Sequence, residues 1–130
     1  MTRTSLDAHI AALDVADGLK TVLTVVGQTC AEINVQDEEQ KKLDVITDDM
    51  LTQALLACPA IAGVASEEKD TAEIATNAAG EYLALFDPLD GSSNIDINAP
   101  VGTIVSVLKS PSAQPGEADF LQPGLSLIHI

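Results

Sequence analysis

The chain has 130 residues, of which 46% are apolar, and its 20 acidic residues outnumber 6 basic ones to leave a net charge of -14. That length fits one domain or part of one, and the apolar share is enough for a core, which excludes disorder and collagen-like structure. The charge repels phosphate backbones and anionic lipid, arguing against a nucleic-acid or membrane-surface binder, and no apolar run reaches the ~20 residues of a membrane span. The N-terminus has no basic-then-apolar leader pattern. Cys30 and Cys58 stand alone, without a C-x-x-C, and are expected to be free thiols in a reducing cytoplasm.

With only Tyr82, Phe86 and Phe120 aromatic, the core must be built from Ala, Val, Leu and Ile. Thr4 to Ala12 reads as a short helix with Leu6, Ile10 and Leu13 on one stripe. Asp14 or Asp17 is expected to cap a second helix running to Ile33, with Val15, Leu19, Val22, Leu23 and Val26 inward. Gln36 to Lys42 is polar and lacks a burying period, and Thr47 to Leu56 is expected to be the next helix, capped by Thr47 and ended by Cys58-Pro59. Three short apolar runs follow: Ile61 to Ala65, Tyr82 to Phe86 (halted by Asp87-Pro88) and the β-branched Thr103 to Leu108. They read as strands buried on both faces, so the fold class is α/β, with helices packed on a mixed β-sheet. Lys109 to Gly124 is loop-like, and Leu125 to Ile130 reads as a non-native tail, with an edge strand as the plainer alternative, leaving residues 1–124 as the domain.

Carboxylates gather at Glu38 to Asp44, at Glu67-Glu68 and at Asp87-Pro88-Leu89-Asp90. If Asp87 ends a strand and Pro88 opens a helical turn, Asp87 and Asp90 lie on one side, and their repulsion asks for a cation between them. Oxygen-only ligands suit Mg²⁺ or Mn²⁺ rather than Zn²⁺, and Leu89 can contribute only its backbone carbonyl. Gly91-Ser92-Ser93-Asn94 follows at once, small residues whose backbone N–H groups suit an anion. Cation ligands beside an anion cradle suit a phosphate ester. At Glu67-Glu68 an extended strand end sends neighbouring side chains to opposite sides, so the two acids can do separate work. Each feature also has a plainer reading: a helix cap with a solvated charge for Asp-x-x-Asp, and a surface turn for the other two.

The run Phe86-Asp87-Pro88-Leu89-Asp90-Gly91-Ser92-Ser93-Asn94-Ile95-Asp96, continued by Pro100-Val101-Gly102-Thr103-Ile104, resembles class I fructose-1,6-bisphosphatase. Gln40 to Asp44, Ala65 to Glu68 and Asp119 to Gly124 agree in order and approximate spacing. The Asp-Pro-Leu-Asp-Gly core is shared with inositol monophosphatases and other metal-dependent phosphomonoesterases. The resemblance implies that Glu67, Asp87, Asp90 and the Leu89 carbonyl are magnesium ligands, with Glu38 assisting. It implies that Asp44 and Glu68 orient and deprotonate the attacking water, and that Asp90, Gly91, Ser92 and Ser93 cradle the 1-phosphate. It further implies the N-terminal part of a layered α/β/α/β/α fold, a homotetramer, and hydrolysis of fructose 1,6-bisphosphate to fructose 6-phosphate and phosphate. Sedoheptulose bisphosphate or an inositol phosphate as substrate, and an inert metal-binding fragment, stay open. Glu81 stands where AMP-inhibited members carry Lys, and its carboxylate would repel the AMP phosphate.

Overall fold

A computed structural model describes residues 4–33, 40–76, 79–93 and 101–122. Helix α1 spans Leu6–Ala12, and its first turn is closed by Ser5, whose hydroxyl accepts the Ala8 N–H at 3.2 Å. Helix α2 spans Asp17–Ile33, with Val22 fully buried and Leu19, Val25 and Val26 packed beside it.

Helix α3 spans Gln40–Ala57, and here the sequence expectation needs correction. Thr47 does not cap it. The Thr47 hydroxyl donates to the carbonyls of Leu43 (2.8 Å) and Asp44 (3.0 Å), and the residue is fully buried inside the helix. A mid-helix threonine satisfied by the preceding turn needs no cap role, and it extends the inward stripe of Leu51 and Leu55 backwards by one turn. The helix therefore takes in Gln40 to Lys42, ahead of the start expected at Thr47.

The sheet has the order β2-β1-β3-β4, with strands Ile61–Ser66 (β1), Glu73–Ile74 (β2), Tyr82–Asp90 (β3) and Gly102–Lys109 (β4). β1 pairs parallel to β3, while β2 and β4 pair antiparallel at the two edges. Alternation sorts β3 cleanly: Tyr82, Ala84 and Phe86 join the core under α2 and α3, and Leu83 faces the other side. That second side is covered by Phe120, carried on a 3-10 helix at Glu117–Leu121 within the stretch expected to be loop. β4 departs from expectation in another way. It is an edge strand with Ile104 54% exposed, not buried on both faces. No helix among the described residues is long and apolar enough to cross a membrane.

Leu51 packs with Val22, Leu55, Ile61 and Phe86 at zero exposure. Leu51→Ala in the full-length protein is expected to cost about 2–5 kcal/mol, read from the denaturant midpoint, because the helix–sheet layer cannot collapse around the void.

Candidate active site

β1 stops at Ser66 because that side chain captures a backbone donor. The Ser66 hydroxyl accepts the Glu68 N–H at 3.3 Å, and the Lys69 N–H closes the turn on the Ser66 carbonyl at 3.3 Å. Glu67 and Glu68 are therefore the two corners of a turn, not the extended strand end expected from sequence. The Glu67 N–H still donates to the Phe86 carbonyl at 2.9 Å, which fixes the turn beside the end of β3. β1 and β3 run parallel, so both deliver their acids to the same, C-terminal end of the sheet, where α/β proteins hold ligands.

The end of β3 also differs from expectation. Pro88 opens no helical turn; the strand runs through it to Asp90. Asp87 pairs with Ile104 and Asp90 with Gly102, three steps against two, so the ladder bulges where proline has no N–H to give. The Leu89 N–H instead donates to the Asp87 carboxylate (3.1 Å), and the Thr103 hydroxyl donates to the Pro88 carbonyl (3.0 Å). In a regular strand, residues three apart face opposite ways. The bulge cancels that, and Asp87 and Asp90 share a face by register. Gly91 then turns the chain at φ 79°, a conformation that glycine adopts without cost, and Ser92 and Ser93 begin a 3-10 turn.

α3 supplies the third part. Asp44 and Asp48 are one helical turn apart, and both have a buried Oδ1 with no hydrogen-bond partner among the described residues. Asp48 Oδ2 is 3.1 Å from the Lys69 ammonium, which also donates to Glu73 (2.8 Å) and Thr52 (3.2 Å). Burial pulls the Lys69 pKa down, but the hydrogen bonds to Glu73 and Asp48 outweigh it and hold it above the ordinary lysine value. Partial burial first, and then the charges of Asp44, Glu67, Asp48 and Asp87, push the Glu68 pKa up. Acids as far apart in the sequence as Asp44 and Asp87 thus both act on Glu68.

Sequence reasoning missed Asp48 and Lys69. The spacing of four between Asp44 and Asp48 was the available signal for the first; nothing local marks the second. Glu38 and Asn94 lie outside the described residues. Among those described, no three His, Cys, Asp or Glu side chains form a ready cage for a metal ion. By register Asp87 and Asp90 lie on the face away from the helices, whereas Asp44 belongs to the helix layer. Even so, an all-carboxylate set with an orphaned, buried Asp44 oxygen fits a hard divalent cation or its bound water. At the opposite end of β3, Glu81 is ion-paired with Lys109 at 2.6 Å, and the Lys109 ammonium sits 5.0 Å from the Tyr82 ring centre.

Comparison with known proteins agrees in sequence and in fold. The chain is 58% identical over 100 residues to fructose-1,6-bisphosphatase class 1 of Shewanella loihica and 59% identical to that of Shewanella frigidimarina, covering 77% of this chain. It spans 30% of the length of those relatives. The structure of Leishmania major fructose-1,6-bisphosphatase in apo form superposes with a TM-score of 0.75 at 31% identity, over 92% of this chain and 41% of that one. The holo form of the same enzyme gives a TM-score of 0.74 at 32% identity, over 85% of this chain and 40% of the other. Residues 8–129 match the family described as Fructose-1-6-bisphosphatase, N-terminal domain. The chain belongs to the fructose-1,6-bisphosphatase family.

Proposed function

We propose that the full-length protein carrying this segment hydrolyses the 1-phosphate of fructose 1,6-bisphosphate, giving fructose 6-phosphate and phosphate. The observation that supports this most directly is the pairing of β1 with β3 in parallel, with the Glu67 N–H bonded to the Phe86 carbonyl at 2.9 Å, which puts the Glu67-Glu68 turn beside the acids that end β3. In this reading Glu67, Asp87, Asp90 and the Leu89 carbonyl hold Mg²⁺ or Mn²⁺, with Glu38 assisting from outside the described residues. Bound there, the cations would neutralise phosphate oxygens and make a nucleophile of water.

The chain's own groups do the rest. Asp44 and Glu68 hold the attacking water between α3 and the turn, and their carboxylates accept its proton. Asp90 to Ser93 receive the 1-phosphate, with the φ 79° turn at Gly91 letting the backbone approach it closely. We further propose that residues 1–124 are the N-terminal part of this enzyme and that the sugar is held by portions of the relatives this chain does not span. The full-length protein is expected to be a homotetramer.

The test is phosphate release from fructose 1,6-bisphosphate by the full-length protein with and without Mg²⁺. Asp90→Ala is expected to lower kcat at least ~10²-fold, since it removes a cation ligand and an edge of the phosphate cradle together. Ordinary turnover in that variant would remove Asp90 from the site. Release from sedoheptulose bisphosphate or an inositol phosphate but not from fructose 1,6-bisphosphate would overturn the substrate assignment.

A further inference from the structure

Lys69 is the last residue of the turn that carries Glu67 and Glu68, yet its side chain leaves that turn. An ammonium has three donors, and here three acceptors lie within reach: Asp48 at 3.1 Å, Glu73 at 2.8 Å and Thr52 at 3.2 Å. Asp48 and Thr52 occupy successive turns of α3 after Asp44, both nearly buried, while Glu73 stands on β2. One side chain thus joins three elements. An exposed lysine that only screened its acidic neighbours would not have all its donors committed, nor bind a carboxylate that is 6% exposed.

We propose that Lys69 is a positioning residue: its ammonium clamps the Glu67-Glu68 turn to α3 one helical turn beyond Asp44, and so sets the spacing between Asp44 and Glu68. The inference rests on the roles proposed above for those two acids. Asp48 belongs to the same clamp. Without Lys69 its carboxylate is left buried and unpaired. The turn stays tied to β3 through the Glu67 N–H and the Phe86 carbonyl (2.9 Å) but loses its tie to α3, with only the two 3.3 Å bonds to Ser66 holding Glu68 and Lys69. A proton acceptor displaced by about 1 Å can lose as much as ~10²-fold in rate.

The experiment compares Lys69→Met, which keeps the stem, and Lys69→Arg, which keeps charge and donors, with the parent full-length protein. Two quantities are read: amide hydrogen exchange at Glu68 and Lys69 in metal-free protein, and kcat and KM for fructose 1,6-bisphosphate. Lys69→Met is expected to speed exchange of those amides at least ~10-fold. It is expected to lower kcat at least ~10-fold with KM within ~3-fold of the parent, since placement rather than substrate binding is lost. Lys69→Arg is expected to keep about half or more of the parent kcat. Unchanged exchange, unchanged kcat, or an arginine variant as impaired as the methionine one each overturns the proposal. If Lys69→Met yields no folded protein, Asp48→Asn is held to the same limits. If the parent itself releases no phosphate, the proposed activity fails, and the exchange comparison alone decides the clamp.

Discussion

Glu68→Gln in the full-length protein is expected to lower kcat for fructose 1,6-bisphosphate by about 10³-fold, within the span that a positioned proton acceptor contributes. Glutamine keeps the size of the side chain and its fit in the turn, since the bond holding this position runs from the backbone N–H to Ser66. What it removes is the negative charge that takes the proton from water. It also relieves the repulsion from Asp44, Glu67, Asp48 and Asp87, so the variant should be no less stable to heat than the parent. A large fall in rate without a fall in melting temperature is therefore the signature, measured by phosphate release and by calorimetry on one preparation. A kcat within about tenfold of the parent would remove Glu68 from the proton transfer.

Gly80→Ala is expected to have the largest effect on stability, at least ~3 kcal/mol. A methyl group at this position would overlap the backbone of Ile61 and Ala62, not the movable tip of a side chain. The neighbouring N–H groups of Glu81 and Tyr82 both donate to the Ala60 carbonyl, at 2.9 and 3.0 Å, so the two segments cannot draw apart without losing the first rungs between β1 and β3. Ile61 and Tyr82, paired across those rungs, belong to the main core. The same strands carry the acids at their far ends, and a shift in their register would disturb the site as well. A melting temperature within about 2 °C of the parent would show that the contact relaxes freely.

Much of this architecture could be read from the sequence because it is local. Tyr82 to Phe86 is a short apolar run with no helical period, and Val105 and Val107 alternate as a strand requires. The features that escaped are those in which distant partners override local chemistry. Pro88 reads as a strand breaker, yet the bulge against β4 and the Thr103 hydroxyl give its surroundings a place in the ladder. Thr47 reads as a cap, yet it lies in the middle of a helix that starts at Gln40. β2 has two residues, too few for any periodicity to show. Gly80 gives no sign of its constraint until β1 is packed against it.

The candidate site divides in the same way. Asp87 to Ser93 is contiguous, and its spacing alone suggests a cation beside an anion. Asp44 stands in the Glu38 to Asp44 cluster of carboxylates, but its role comes only through the resemblance, because nothing near it in sequence distinguishes it from Asp48 or Asp49. The Lys69 contacts with Asp48 and Thr52 join residues 21 and 17 positions apart, beyond the reach of spacing rules.

The central claim is that acids from the Glu67-Glu68 turn and from the β3 bulge bind the same divalent cations. Anomalous diffraction from crystals of the full-length protein soaked in Mn²⁺ tests it most directly. Manganese peaks within about 2.5 Å of carboxylate oxygens of Glu67, Asp87 and Asp90 are the predicted result. Manganese bound elsewhere, with those three carboxylates contacting only water or protein, would contradict it.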